Sequence, residues 1–299
     1  MAPLDDGPVR IWPVRVVRLN GVIALLLSLV VAGALAVMAT PLAAAVVAPV
    51  VGLVVFGISI RRYVRRARAA REPFPPAWRT VLERRVPFYR WLDADGRDRF
   101  ENDVRIFLSE QRIFAERGAK LDDDTRVLIA ASAAMLGFGI PDWEWSNLRD
   151  IVVYPGAFDE DYQQTEQAFI AGMVQHQGPI LFSQRDLRLG FSKLDGHNVG
   201  LHELAHVMDF ADGRADGVPG DVDWVATAPW IELVSNRLAK LKKRKGYDAL
   251  RRYASENEAE LFAVAVEAFF EQPKRLHEKD PELYELLRDY FGQDPAAAH

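Results

Sequence analysis

The residues whose types and spacing could do chemistry lie in Leu201–Asp209, which reads Leu-His-Glu-Leu-Ala-His-Val-Met-Asp. His202 and His206 are four apart, so on a helix both imidazoles leave one face, about 6 Å apart along the axis. Two neutral ring nitrogens held in that way can bind one Zn²⁺, with Glu203 beside them to act on a water molecule. The competing reading is an amphipathic helix with two ordinary histidines. Two features weigh against it: the chain has only six histidines, and the flanks suit a buried helix. Gly196 and Asn198 fit a helix start, while Leu201, Leu204, Ala205 and Met208 make the helix core-forming. A short apolar helix with a His-Glu-His face is costly unless those polar groups find a partner. A metal ion is a natural one.

A catalytic zinc takes three protein ligands and leaves one position open. The chain has no cysteine, so disulfides and thiolate ligands are excluded, and only His, carboxylate and water remain. Asp212, six residues past His206, is one candidate. Reaching back would need a sharp turn, usually with glycine at 209, where this chain has Asp209. Glu260 is better placed. Ser255-Glu256-Asn257-Glu258 fits a capping box with Ser255 as N-cap. The helix expected after it, Ala259–Phe270, is apolar on nearly every side except at Glu260 and Glu267. Those two are seven apart, hence on one face, and a carboxylate on a buried helix must be paired or bind metal. Glu260 sits in the first turns, and Glu267 is expected as a supporting carboxylate.

Other elements must bring these helices together. Phe100, Val104, Phe107 and Leu108 share one face, predicting a helix over Arg97–Phe114. Asp124-Thr125 opens an apolar helix through Leu136. Ile151–Pro155 and Pro179–Ser183 are strand-like. The second lies shortly before the His-Glu-His helix, and either holds an extended substrate by backbone pairing or is purely structural. Pro229–Lys245 reads as a helix with a solvated basic end.

Upstream the composition changes. Residues 1–20 form a short N-terminal segment, followed by two uncharged runs, 21–39 and 42–60, on either side of a Thr40-Pro41 turn. Each has about the 20 residues needed to cross a hydrocarbon core, so 21–60 is expected to be a transmembrane hairpin. A cleaved signal peptide is the alternative for the first run, but its length and the second span that follows speak against it. Arg10, Arg15 and Arg18 precede the hairpin, and Arg61, Arg62, Arg65, Arg66, Arg68 and Arg71 follow it. Positive flanks on an even number of spans place both ends in the cytosol. Residues 61–77 read as a basic, Pro-rich linker and 78–295 as the soluble domain. The formal net charge of −5 does not suggest a nucleic-acid partner.

The motifs Val86-Pro87-Phe88-Tyr89, Arg126–Ala131, Val153-Tyr154-Pro155, Asp195–Val199, His202–Asp209, Ala211-Asp212-Gly213, Ala259–Val264 and Gln293-Asp294-Pro295 occur in this order. Through them, the sequence over about 86–295 resembles the Mlc titration factor A family of zinc metallopeptidases. It is more distantly similar to the catalytic domain of anthrax lethal factor, through His202-Glu203-x-x-His206-x-x-Asp209 and Tyr253…Asn257-Glu258-Ala259-Glu260-x-Phe262-Ala263. The resemblance implies His202, His206 and Glu260 as ligands of one Zn²⁺ and Glu203 as general base. It also implies that Tyr253 donates a hydrogen bond to the developing oxyanion. The family is described mainly as aminopeptidases and takes its name from binding a glucose-responsive transcriptional repressor. The hydrophobic hairpin sets this chain apart from soluble members and bears on the repressor partnership more than on the chemistry.

The expected fold is α+β: a mostly helical, zincin-like metallopeptidase domain with a small sheet, preceded by a two-helix transmembrane hairpin. The expected function is hydrolysis of a peptide or protein substrate at the cytosolic face of the inner membrane. The alternative is a membrane-tethered binding protein that sequesters a transcriptional regulator and uses zinc structurally.

Overall fold

The computed structural model describes residues 14–38, 40–141, 143–146, 148, 150–158, 172–174, 179–214, 216–220, 224–242, 250, 254 and 257–297. The chain divides into two compact units, Met1–Pro73 and Phe74–His299.

The first unit is a helical hairpin of α1 (Val14–Met38) and α2 (Pro41–Arg71). Thr40 caps α2, its hydroxyl accepting from Ala43 N at 3.1 Å, with Pro41 at the first helical position. The helices run antiparallel and meet through small residues: Ala24, Ala44 and Ala48 are buried, and Ser28 Oγ donates to Ala48 O at 2.7 Å. Leu25, Leu29, Val50, Leu53 and Ile58 stand exposed. Both helices are long and apolar enough to cross a membrane. The arginine run differs from its expected place in a linker: Arg61–Arg71 continues α2 as helix.

The second unit starts with α3 (Pro76–Arg85), α4 (Pro87–Trp91) and α5 (Ala94–Glu110), then β1 (Ile113–Ala115) and α6 (Asp123–Gly137). Next come β2 (Ile151–Tyr154), β3 (Gly172–Val174), β4 (Ile180–Ser183) and α7 (Gln184–Gly190). It closes with α8 (Val199–Asp209), a 3₁₀ turn at Phe210–Asp212, α9 (Trp224–Lys242), α10 (Glu258–Glu271), α11 (Pro273–Lys279) and α12 (Pro281–Phe291). The unit is mostly helical with a small mixed sheet, as expected.

The strands lie in the order β1-β2-β4-β3, with β3 antiparallel to β4 and the other pairs parallel. One expectation changes here. The helix predicted through Phe114 stops at Glu110, because Ile113–Ala115 pairs with Ile151–Val153; tertiary pairing overrides the amphipathic pattern. Of the two readings of Pro179–Ser183, the structural one fits, since β4 has both edges taken, by β2 and by β3. The edge beside α8 belongs to β3.

α8 packs against α6 and α10 and against β3 and β4. α6 and α10 are buried nearly all round, which explains their Ala, Val, Leu and Phe content. Gly200 is what lets α8 approach α6, since a Cβ there would run into the Ser132 hydroxyl.

Candidate metal centre

α8 begins at Asn198, whose side-chain oxygen accepts from Gly200 N and Leu201 N at 3.1 and 3.2 Å. These are donors that a helix start leaves open. One turn on, His202 and His206 project together, with their Nε2 atoms 3.2 Å apart. Glu260, in the first turn of α10, reaches both. Its Oε2 lies 3.2 Å from His202 Nε2 and its Oε1 lies 3.3 Å from His206 Nε2. The N-cap that fixes this turn is Asn257, accepting from Glu260 N at 2.9 Å, and not Ser255, which lies outside the described residues.

The three side chains offer ligand atoms within 4.8 Å of one another. Glu260 Oε2 is buried without a hydrogen bond among the described residues, a costly state that a cation would relieve. Burial works against a charged His202, but Glu260 and Glu267 outweigh it and push this imidazole up to about 10. Burial would raise Glu260, but His202 and His206 bring it down to about 2. The same field that holds a proton here would hold a metal ion. Two imidazoles and one carboxylate suit a divalent first-row cation.

Behind these groups, Glu267 Oε1 lies 2.7 Å from His202 Nδ1, and its Oε2 accepts from Asn198 N at 2.5 Å. Glu271, one turn further along α10, accepts from Gly196 N at 2.8 Å and from Asn198 Nδ2 at 3.0 Å. Two carboxylates of α10 therefore hold the start of α8. With Nδ1 engaged by Glu267, His202 turns Nε2 towards Glu260. Burial pushes Glu271 up to about 8, with Glu267 adding to the rise and Asn198 and Gly196 opposing it.

Glu203 leaves α8 beside the cluster without joining it and packs against β3. Burial raises its carboxyl above the usual range, with His202 and His206 opposing. The His206 ring stacks on Phe210, centroids 6.1 Å apart. Of the other expected site residues, Tyr253 lies outside the described residues. Asp212 closes the 3₁₀ turn after α8, and its side chain is likewise outside the described groups. Glu267 has the supporting place expected of it. Glu271 was missed because the predicted helix stopped at Phe270; its signal was the 260, 267, 271 spacing, which keeps all three on one face.

Facing helices that gather two histidines and a glutamate beside a small mixed sheet define a metallopeptidase-like domain. Residues 60–292 match the family described as glucose-regulated metallo-peptidase M90, and the chain belongs to that family. It is 28% identical over 244 residues to an uncharacterized protein of Synechocystis, covering 77% of this chain and 89% of that protein. It is 30% identical over 236 residues to Mlc titration factor A of Pectobacterium atrosepticum, covering 74% and 87%. With Mlc titration factor A of Escherichia fergusonii it shares 26% identity over 237 residues, again covering 74% and 87%. The resemblance read from the motifs therefore holds.

Proposed function

We propose that the chain is a membrane-anchored, zinc-dependent peptidase, with His202, His206 and Glu260 as ligands and Glu203 as general base. One observation carries the reading: three donor atoms converge within 4.8 Å, while Glu203, next to them on α8, stays outside the set. A bound zinc ion would supply Lewis acidity, enough to bring the pKa of a water molecule to about 7 and to polarise a peptide carbonyl. Glu203 takes the proton of the attacking water and returns it to the leaving amine. Tyr253 as oxyanion donor and an aminopeptidase-like preference rest on the family resemblance.

Membrane anchoring rests on the two long apolar helices. Arg18 before the hairpin and Arg61, Arg62, Arg65, Arg68 and Arg71 after it favour both ends on the cytosolic side of the cytoplasmic membrane. A second reading comes from the relatives' name, titration factor: the chain would then bind a transcriptional regulator, with the metal structural.

Glu203→Gln separates the two readings. In full-length protein it should keep the metal and lose peptide hydrolysis by about 10² to 10⁴, while any regulator binding persists. Hydrolysis equal to the unaltered chain's would overturn the enzymatic reading.

A further inference from the structure

Glu203 is buried. The neighbour in contact is the edge strand β3. A Cβ built on Gly172 would stand 2.5 Å from both Cγ and Oε1 of Glu203 and 2.7 Å from its Cδ. Such distances are far inside van der Waals contact, so the Glu203 side chain occupies the volume that any other residue at 172 would fill. The backbone gives no separate reason for glycine, because Gly172 lies outside the left-handed region. A glycine in a strand often marks a place where another group approaches closely, and Gly172 opens β3. Here the group that approaches is the proposed base.

We infer that Gly172 is a positioning residue for Glu203: the missing side chain on β3 forms the slot that keeps the carboxylate beside the His202–His206–Glu260 cluster. The inference rests on the proposed role of Glu203, although the steric coupling itself can be read without catalysis. Gly172→Ala would force the flexible end of Glu203 to swing away and leave the three ligand side chains untouched. A displacement of about 1 Å from productive geometry can cost on the order of 10² in rate.

The test is a double-mutant cycle in the full-length chain, reading melting temperature, metal content and turnover on a peptide that the unaltered protein cleaves. Gly172→Ala should lower the melting temperature in the Glu203 background and leave it unchanged in a Glu203→Ala background, where the Cβ has space. Metal content should match the unaltered protein's in Gly172→Ala. Turnover should fall by about 10². If Gly172→Ala alone fails to fold, folding of the Gly172→Ala/Glu203→Ala double variant supports the slot. An equal drop in melting temperature in both backgrounds, or loss of metal from Gly172→Ala, overturns it. If the unaltered chain hydrolyses no peptide, the proposed function fails while the cycle still decides the slot.

Discussion

Glu267 reaches none of the three converging atoms, yet both its oxygens are committed, one to His202 Nδ1 and one to Asn198 N. An amide offers only one acceptor, so Glu267→Gln leaves either the imidazole or the helix start unsatisfied. Carboxylates in this position are typically worth about 10- to 100-fold in metal affinity. Competition with a chelator should show a loss in that range, and unchanged affinity would remove Glu267 from the site. Replacing His202 and His206 together by alanine should abolish metal binding altogether; full occupancy of that variant would refute the cluster as the metal site. Glu271 gives a pH signature. Its folded pKa of about 8 lies above the ordinary value of 4.5, so the native state keeps a proton that the unfolded chain releases. The native protein therefore loses stability as pH rises from about 4.5 to about 8, and the loss is complete above that. Glu271→Gln cannot titrate, so its stability relative to the unaltered chain should improve between pH 5 and pH 8.5. A constant difference across that window would count against the raised pKa.

Helix α8 shows how a cap can serve a site. Asn198 satisfies two backbone donors of the first turn and also donates to Glu271. Asn198→Ala should cost about 1–2 kcal/mol, as caps usually do, read from denaturant unfolding of the full-length chain. It should also weaken metal retention, because His202 is only one turn away; a variant that unfolds like the unaltered chain would show the cap to be dispensable. The His-Glu-His face was legible in the sequence because helical period alone puts 202 and 206 on one side. Glu260 and Glu267 were legible because they are charged positions on an otherwise apolar helix. The true cap of α10 was harder to read: Ser255 and Asn257 are both good cap residues, and only the position of Glu260 N decides between them. β3 could not be read at all. Gly172-Met173-Val174 is too short to show alternation, and its place is set by pairing with β4 and by contact with Glu203. Such contacts join segments that local pattern does not connect.

At the scale of the molecule, the two units differ in how they meet solvent. The hairpin exposes apolar side chains along both helices, whereas the second unit encloses its own core. Protease added to intact cells should leave a reporter fused after Arg71 protected, if both ends of the hairpin face the cytosol; cleavage from outside would rule out that orientation. The boundary between the units is a sharper matter, because the sequence pattern and the packing place it differently. Composition puts the start of the soluble domain at Trp78, after the prolines, while the compact unit begins at Phe74. Phe74 is buried in the core cluster of that unit. Its ring meets Trp78 edge-on at 5.8 Å, and the guanidinium groups of Arg79 and Arg105 lie over it at 5.8 and 5.6 Å. Local hydropathy cannot reveal this, since a phenylalanine among three prolines looks like linker until α3 and α5 close on it. A fragment of residues 72–299 should therefore be soluble, fold cooperatively and hold as much metal as the full-length chain. A fragment of 78–299 lacks Phe74 and exposes the surface it covers, so it should be less stable by on the order of 3 kcal/mol, the scale of deleting a buried phenylalanine. Metal content should be the same in both below their melting points, because no ligand lies on α3 or α5. Equal unfolding midpoints for the two fragments would place the boundary at Trp78 after all.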